Sequence, residues 1–329
     1  MTPTSLPLLS FVIVCFNQEE YIDSALKSAL EQTYSPLEII ISDDASTDDT
    51  FQIIQNTISR YKGPHQVITI RNNENLGIAK NVNLALKAAN GELVILAAGD
   101  DISIPSRTSR IYRAYTESEN RDILIHSNAI KIDSAGNILG IWRPPVISKN
   151  KSKIAIAISE SIYIGATGAL SRHLINKFGD IKYPHAYEDL VWGHRASIVK
   201  GLIYIPEALV EYRVGSGIST RKNPNGKIST VLKQHLKKRI MFIDVLKQRL
   251  DDLALVEHSG DTKYRQTIAK RLNIEMARAH LIELALTHRS LFPKSAPFKD
   301  YCLAAILELR DLIKNYLRLP MEKILSKRR

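Results

Sequence analysis

The sequence is poor in cysteine and has no long apolar run. Only Cys15 and Cys302 occur among the 329 residues, and they form neither a CxxC pair nor a cluster of metal ligands. Cys15 lies within an apolar stretch, so we expect a small buried side chain there and, by default, a reducing cytosolic compartment. The first 20 residues lack the basic segment and the cleavage site of a signal peptide. No later run reaches the roughly 20 apolar residues of a membrane span. A soluble, cytoplasmic or surface-associated protein is therefore expected.

Acidic residues are in the minority only in the last third of the chain. Residues 221–329 hold 24 Lys and Arg against 11 Asp and Glu, whereas residues 1–220 hold 21 against 23. The overall content of 44% hydrophobic residues is enough for a sizeable core. The charge contrast and the polar stretch 221–229 predict a near-neutral domain over 1–220, followed by a basic region over 221–329.

Apolar runs alternate with helical patterns up to residue 99. Strands are predicted over 8–16, 37–42, 66–71 and 92–99. Helices are predicted over 19–32, 48–61 and 78–90, and Ser46 or Thr47 is expected to cap the second. Strands and helices that alternate with short connections predict right-handed crossovers and a mainly parallel, doubly wound α/β sheet.

Residues 105–220 show a different pattern. A helix is predicted near 105–119, and an antiparallel hairpin is predicted from "DILIHSNAIKID" and "ILGIW". A short helix should follow Ser171, and the stretch "LIYIPEALVEYRV" should form a strand pair. From about residue 228 onward the chain has almost only helical patterns. The pattern of predicted strands and helices therefore divides the chain into 1–104, 105–220 and a helical C-terminal region.

Two pairs of aspartates follow predicted strands. Asp43 and Asp44 end the second strand, and Asp100 and Asp101 end the fourth. Because ligands of such sheets bind beyond the carboxyl ends of the strands, both pairs are expected at the same edge. Paired carboxylates with few other ligands suit a hard divalent cation, Mg²⁺ or Mn²⁺, that keeps open positions for phosphate oxygens and water. The alternative is a set of solvated turns in which Asp caps the next helix.

Four stretches in this order resemble the serial motifs of the family-2 glycosyltransferases, inverting enzymes of the GT-A fold. They are "FVIVCFNQEEYIDSALKSALEQTYSPLEIIISDDASTDDT", "NLGIAKNVNLAL", "GELVILAAGDD" with Pro105, and "YEDLVWGHRASIVKG". The resemblance covers residues 8–216. It implies a Rossmann-like sheet in which 1–104 binds a nucleotide and a smaller antiparallel part, 105–220, binds the acceptor.

The resemblance also implies roles for residues of the nucleotide half. Phe16 and Asn17, after the first strand, would lie against the base and the ribose. Asp44 would accept a hydrogen bond from the base, and Asp43 would support the same pocket. Independently of the resemblance, Lys80 lies on a helix that faces the loop after the third strand. It could reach a diphosphate, although an exposed helical lysine is the simpler interpretation.

Further roles follow from the resemblance for the acidic residues nearer the reacting groups. Asp101 would bind the metal, and Asp100 would face the ribose or the water shell of the metal. Asp189 would be the catalytic base, and Glu188 would orient the site. The chemistry suits these residue types, because a cation stabilises a leaving diphosphate and a partly buried carboxylate removes the proton of an attacking hydroxyl. The alternative for Asp189 is an acid placed at a helix start for reasons of the helix dipole.

Two positions depart from the pattern of the family. Ala98 stands where many relatives have Asp, and the stretch after Tyr212 and Arg213 lacks the His that many relatives carry there. These departures argue against tight metal binding and strict metal dependence.

Histidines and glycines of the second half are further candidates. His126, His185 and His194 offer metal or acceptor contacts, although surface or core histidines account for them as well. The glycines of "GATG", 165–168, would either let an acceptor approach the backbone closely or form a tight strand junction.

The stretch "LKQHLKKRIMFIDVLKQRL" of the basic region is amphipathic. Its apolar positions near one face are Leu232, Leu236, Ile240, Ile243 and Leu246. This pattern suits a surface helix on anionic lipid headgroups, and it equally suits a bundle packed on the catalytic domain or on a second subunit. A lipid-linked acceptor would favour the membrane. Nucleic acid is not expected, because aromatic residues are not interleaved with the charges.

The sequence as a whole predicts a non-processive inverting glycosyltransferase. It would move one sugar from a nucleoside-diphosphate donor, UDP-linked by preference, to a saccharide or lipid-linked acceptor. The resemblance implies a place in bacterial surface polysaccharide or lipopolysaccharide assembly, on the cytoplasmic face of the inner membrane. One alternative is a sugar-nucleotide pyrophosphorylase, which the absence of glycine from "CFNQEEY" disfavours. The other is a binding or scaffold protein on a degenerate transferase fold, which Ala98 keeps open.

Overall fold

The computed structural model describes residues 6–145, 153–215, 228–256 and 262–287. The strands within them are β1 Leu9–Cys15, β2 Leu37–Asp43, β3 Gln66–Arg71, β4 Leu93–Ala98, β5 Ile102–Ser103, β6 Leu124–Ile132, β7 Ile138–Trp142, β8 Ala169–Ser171 and β9 Leu202–Arg213. The helices are α1 Ile22–Leu30, α2 Thr50–Arg60, α3 Ile78–Ala88, α4 Arg107–Thr116, α5 Lys153–Ala157, α6 Arg172–Phe178, α7 Glu188–Ile198, α8 Ile228–Asp252 and α9 Thr262–Thr287.

All of these strands belong to one sheet. Its order is β3-β2-β1-β4-β8-β6-β9-β5, and β7 pairs with the side of β6 as a hairpin. Strands β3, β2, β1 and β4 are parallel, whereas β8 runs antiparallel to both β4 and β6. The parallel half with its helical crossovers, the antiparallel part and the helices that follow confirm the predicted fold class.

The carboxyl ends of β1, β2 and β4 lie side by side. Cys15 of β1 pairs with Asp43 of β2, and Val14 pairs with Ala98 of β4. The three strands carry mostly buried Ile, Val, Leu and Ala, as expected for parallel strands covered on both faces. The chain leaves all three strands at one edge, so the two acidic pairs emerge there together.

Alternating residues of β1 supply the two halves of the core. Phe11 and Ile13 pack with apolar residues of α1 and α4 on one face of the sheet. Val12 packs on the other face with residues of α3, α6 and α7. Successive strand side chains point to opposite faces, so one short strand anchors both helical layers.

Helix α2 begins later than predicted and has a different N-cap. Its first residue is Thr50 and its N-cap is Asp49. Neither Ser46 nor Thr47 caps the helix, so that prediction was wrong. Ser46 is used elsewhere, because its hydroxyl donates to the carboxylate of Asp43 at the end of β2.

The segment Leu202–Arg213 is one strand rather than the predicted pair. It pairs in parallel with β6, and the register shifts just after Ser127. Pro206 lies within this strand and has no N–H to donate to β6. The strand therefore shows a shift of register there and not the turn expected between two strands.

Helices α8 and α9 pack on α7. Phe242, Val245 and Leu246 of α8 join Trp192 of α7 in one core cluster. The apolar stripe predicted for α8 is buried or half-buried along its length. This packing corresponds to the bundle alternative for the described part of the basic region. None of the helices in the described ranges combines the length and the apolar character that a membrane crossing needs.

A buried ion pair fixes α8 on α7. Arg195 Nε lies 2.9 Å from Asp252 Oδ2, Arg195 Nη2 lies 3.0 Å from Asp252 Oδ1, and both side chains are fully buried. Gln248 donates to the same carboxylate at 2.9 Å. Because a charge in the interior is tolerated only with its partner, neither residue can be replaced alone without leaving an uncompensated charge.

We expect Asp252→Ala to lower the free energy of unfolding by about 3–5 kcal/mol, because Arg195 would remain buried without its carboxylate. Urea unfolding followed by circular dichroism measures this change. The control is Glu117→Ala, which removes the exposed pair with Arg113 and should cost about 0.5 kcal/mol or less. Equal midpoints for the two variants would contradict the assigned role of the buried pair.

Candidate active site

The carboxylate of Asp43 is occupied by its own turn. Its Oδ2 accepts the N–H of Ser46 at 3.1 Å, and its Oδ1 accepts the hydroxyl of the same residue. Arg71 Nε lies 3.5 Å from Oδ2. The side chain is fully buried. Asp43 therefore shapes the turn after β2.

The carboxylate of Asp44 holds the loop between β3 and α3. Its Oδ1 accepts from Asn72 Nδ2 at 2.8 Å and from the N–H of Leu76 at 2.9 Å. Its Oδ2 accepts the N–H of Gly77 at 2.9 Å. A methyl group on Gly77 would lie 3.8 Å from the carbonyl oxygen of Pro184, so this loop reaches the segment that precedes α7. Through this loop, Asp44 holds part of residues 1–104, the predicted nucleotide half, close to the segment before α7.

Backbone strain marks the ends of β1 and β2. Asn17 has φ 51° and Ala45 has φ 58°. These values lie in the left-handed region of the backbone, which residues other than glycine seldom adopt. The N–H of Asn17 donates to Ser46 Oγ at 2.9 Å, and its side-chain oxygen accepts from the N–H of Thr47 at 2.8 Å. Phe16 is half-buried beside them. The two strand ends are tied together at the position predicted for base and ribose.

Asp100 and Asp101 are buried at the end of β4. They are 5% and 4% exposed, which excludes the alternative of a solvated turn. Asp101 Oδ1 accepts the N–H of Arg213 at 2.8 Å. Asp101 Oδ2 is buried and has no hydrogen-bond partner within the described residues. Burial, followed by the charge of Asp100, raises the pKa of Asp101 well above its usual value.

Arg107 is a buried cation near Asp101 that sequence reasoning missed. It is fully buried, and its guanidinium donates to the carbonyl of Leu96 at 2.8 Å and to Ser103 Oγ at 2.9 Å. Burial lowers the pKa of Arg107 to about 9, and the charge of Asp101 opposes this shift. A cation in the first turn of a helix is disfavoured by the helix dipole, so its position at the start of α4 was the available signal.

Arg213 organises the Asp100–Asp101 turn from β9. Besides its backbone bond to Asp101, its Nε donates to the carbonyl of Asp100 at 3.1 Å and its Nη1 donates to the carbonyl of Asp133 at 2.8 Å. The guanidinium stacks over the ring of Tyr21 at 4.5 Å. One side chain therefore joins β4, the β6–β7 turn and the segment after β1.

Glu188 and Asp189 form the first turn of α7, and both are half-buried. Asp189 Oδ1 accepts the N–H of Leu190 at 2.7 Å. Burial, and then the neighbouring charge of Glu188, raises the pKa of Asp189 well above its usual value. The Glu188 carboxylate lies directly against Gly165, where a side chain would displace it.

Tyr212 of β9 responds to the charges of the β4 carboxylates and of Asp189. Burial raises the pKa of Tyr212 to about 12, and the charges of Asp101, Asp100 and Asp189 add to the shift. Asp101 accepts the N–H of Arg213, the residue after Tyr212, and Asp44 follows β2 at the same strand-end edge.

The structure distinguishes between the two interpretations of the "GATG" glycines and shows the exposure of Lys80. Gly165 lies against Glu188, and a Cβ on Gly168 would lie 2.6 Å from the ring of Tyr163. The glycines therefore form a tight junction. Lys80 is exposed in the first turn of α3.

The three histidine candidates are dispersed. His126 is buried between two tyrosine rings, at centroid distances of 5.6 and 5.5 Å, and burial lowers its pKa to about 3. His194 Nε2 lies 3.2 Å from the hydroxyl of Tyr264, and His185 is exposed. Across the described ranges no three His, Cys, Asp or Glu side chains form a metal-binding group. Any cation here would depend on the aspartate pair and on ligand oxygens.

Relatives of known class share the sequence pattern. Residues 10–179 match the profile of Glycosyl transferase family 2. An uncharacterized glycosyltransferase of Haemophilus influenzae is 28% identical over 220 residues, which are 63% of this chain and 66% of that protein. The Escherichia coli WfaP, named UDP-Glc:alpha-D-GlcNAc-diphosphoundecaprenol beta-1,3-glucosyltransferase, is 39% identical over 104 residues, 32% of this chain and 39% of that protein. The matches therefore span less than two thirds of the length of these relatives.

Solved structures share the fold. TarS of Staphylococcus aureus in complex with UDP-GlcNAc has a TM-score of 0.53 at 17% identity, over 92% of this chain and 91% of that one. The mannosyltransferase PcManGT of Pyrobaculum calidifontis, in complex with GDP-Man and Mn²⁺, has a TM-score of 0.54 at 17% identity, over 95% and 83%. At this identity the likeness shows the fold alone, which is that of the GT-A glycosyltransferases.

The family profile covers more than half of the chain, its relatives are named glycosyltransferases, and the fold agrees. The chain therefore belongs to Glycosyl transferase family 2.

Proposed function

We propose that the protein is a non-processive, inverting glycosyltransferase that moves one sugar from a UDP-linked donor to a saccharide or lipid-linked acceptor. The observation that carries this proposal is the buried Asp100–Asp101 pair at the end of β4, where Asp101 Oδ2 has no hydrogen-bond partner within the described residues. One part of the site has buried carboxylates suited to a cation-bound diphosphate. The other part has a carboxylate suited to removing a proton from an acceptor hydroxyl.

The donor nucleotide would lie across the ends of β1 and β2. Asp44 Oδ2 accepts a single hydrogen bond from the described residues, so a lone pair remains for an N–H of the base. Phe16 and Asn17 would contact the base and ribose, with Asp43 behind them, and Lys80 would reach the diphosphate. The names of WfaP and of the TarS complex, both with UDP-sugars, support uridine, whereas PcManGT is a complex with GDP-Man.

The residues at the end of β4 fit a divalent cation, Mn²⁺ or Mg²⁺. The buried, unpartnered Oδ2 of Asp101 is an oxygen of the kind that such a cation prefers. Asp101 would hold the cation, with Asp100 beside it. When bound, the cation would stabilise the charge of the leaving diphosphate as a Lewis acid. Ala98 offers no ligand, so phosphate and water oxygens would complete the coordination.

Asp189 would act as the general base. The acceptor hydroxyl oxygen bonds to the anomeric carbon while the bond from that carbon to the diphosphate oxygen breaks. The diphosphate leaves with the electron pair, and the hydroxyl proton passes to the Asp189 carboxylate. Because burial and Glu188 raise the pKa of Asp189, it is a stronger base than an exposed aspartate. Attack from the face opposite the diphosphate inverts the anomeric configuration.

The biological setting follows from the same proposal. The name of WfaP includes a diphosphoundecaprenol-linked acceptor, which supports a lipid-linked acceptor for this protein. We therefore place the reaction in the assembly of bacterial surface polysaccharides, at the cytoplasmic face of the inner membrane.

The donor is tested by calorimetry with UDP and Mn²⁺ and by a hydrolysis screen across UDP-, GDP- and dTDP-sugars. We expect binding of UDP and slow hydrolysis of a UDP-sugar. The reason is that the Asp44 carboxylate, which can only accept hydrogen bonds, would face an N–H of the nucleobase. The absence of any nucleotide binding would favour a scaffold protein. Release of pyrophosphate from a nucleoside triphosphate and a sugar phosphate would favour a pyrophosphorylase.

The cation site is tested by thermal unfolding of Asp101→Asn. Without metal, this variant should unfold at a higher temperature than the wild type, because it removes a buried charge and keeps the acceptor for the Arg213 N–H. With UDP, Mn²⁺ should raise the Tm of the wild type and leave that of Asp101→Asn unchanged. An equal Mn²⁺-dependent shift in both proteins would exclude Asp101 as the ligand.

The base is tested by Asp189→Asn. Transfer should fall by about 100-fold or more, the usual contribution of a positioned base, while the Kd for UDP is retained. In the wild type, kcat should rise with pH, with its acidic limb above the aspartate reference value of about 3.9, because only the deprotonated carboxylate accepts the proton. The control is Glu117→Gln, which changes an exposed carboxylate paired with Arg113 on α4 and should leave transfer at the wild-type rate. Full-rate transfer by Asp189→Asn would refute the assignment.

A further inference from the structure

One arginine of the C-terminal helices reaches the first turn of α7. Arg249 lies on α8, and its Nη2 donates to the carbonyl of Leu190 at 3.0 Å, one residue after Asp189. Its Nη1 donates to the carbonyls of Ala157 at 2.9 Å and Ser159 at 3.1 Å. The side chain is fully buried. A cation from the basic region therefore fastens α7 to the chain after α5, next to the carboxylate that we assign as the base.

Within the described residues, Arg249 forms no salt bridge, and its hydrogen-bond partners are the carbonyl oxygens given above. The other buried arginines of this interface differ, because Arg195 pairs with Asp252 and Arg239 pairs with Glu275. A guanidinium that is buried without a contacting carboxylate is costly. Burial lowers the pKa of Arg249 to about 10, and electrostatic interactions with Tyr264, Asp189, Asp252 and Glu160 oppose this shift. Asp189 is therefore one of the groups that act on the buried guanidinium.

The same face of α8 also holds the segment that leads into α7. Gln248 Oε1 accepts the N–H of Lys182 at 2.8 Å, and Asp244 Oδ2 accepts the N–H of His185 at 3.3 Å. Helix α8 thus contacts the backbone on both sides of Asp189. Arg249 supplies the contact on the far side.

We propose that Arg249 is a positioning residue for Asp189, so that helix α8 of the basic region forms part of the active site. This inference rests on the proposed function of Asp189. Three carbonyl contacts from one planar guanidinium fix where the first turn of α7 lies relative to the end of α5 and the residues that follow it. Lysine cannot reproduce this, because it is a single point charge without the planar fork.

Arg249 also sets the charge environment of Asp189. The titratable and charged groups that act on or respond to this carboxylate come from four places: Tyr187 and Glu188 at the start of α7, Tyr163 before the 3-10 turn at Gly165–Thr167, Tyr212 of β9, and Arg249 of α8. Burial and Glu188 raise the pKa of Asp189, and Arg249 lowers it. Without this cation, Asp189 would hold its proton to a higher pH.

The test compares Arg249→Met and Arg249→Lys with Arg239→Met in the full chain. Arg239 is a matched control, because it lies on the same helix, is equally buried and pairs with α9 instead of α7. The readouts are kcat against pH, the Kd for UDP with Mn²⁺, the Tm, and the titration of Asp189 by carboxyl NMR of ¹³C-aspartate-labelled protein. Asp189→Asn assigns the resonance.

We expect Arg249→Met to lower kcat by about 10-fold or more, since small misplacements of a reacting group have effects of this order or larger. Asp189 should titrate at higher pH in this variant, and the Kd for UDP should stay that of the wild type. Arg249→Lys should lower kcat while the titration of Asp189 stays near that of the wild type. Arg239→Met should lower the Tm and leave both kcat and the titration unchanged.

The proposal is overturned if Arg249→Met is folded and neither its kcat nor its Asp189 titration differs from those of Arg239→Met. If Arg249→Met does not fold, Arg249→Lys decides, and wild-type kcat in that variant rejects a positioning role. The NMR titration keeps this result separate from the proposed function. If the wild type transfers no sugar from any donor, the proposed function is refuted. The effect of the Arg249 substitutions on the titration of Asp189 can still be measured in that case.

Discussion

The parallel pairing of β1 with β2 and β4 is the constraint on which the site depends. It brings three strand ends to one edge and forces the acidic pairs that follow β2 and β4 below the surface. Carboxylates in that position need compensation. Asp43 and Asp44 receive it from N–H groups and from the neighbouring loop. Among the described residues, Asp101 receives it at one oxygen and not at the other. Satisfied oxygens thus belong to carboxylates that hold turns and loops, and the unsatisfied oxygen belongs to the proposed cation ligand.

Much of this arrangement was readable from local patterns, because strand runs, helical periods and strand-end acids are short-range signals. The parallel half, the β6–β7 hairpin and the short helix after Ser171 follow from them. The rest depends on contacts between distant segments. Nothing near Asp44 in the sequence indicates that the loop at 72–77 donates three hydrogen bonds to its carboxylate. The cap predicted at Ser46 failed because a buried carboxylate competed for the same hydroxyl.

The basic composition of the C-terminal region also has a tertiary explanation that counting charges does not reveal. Arg239, Arg249 and Arg278 are buried in the described helices, where they bind carboxylates or carbonyls. A positive segment of this kind suggests an anionic partner when only the composition is known. In the folded chain, part of that charge is directed inward and stabilises the junction between α7, α8 and α9.

The hydrogen bonds of Asp44 make two regions of the molecule thermodynamically interdependent. The carboxylate that we propose for the nucleobase also orders the loop containing Gly77, which lies near the segment ahead of α7. A ligand that alters the bonding of this carboxylate must change the free energy of that loop, and the loop must alter the affinity of the ligand by the same factor.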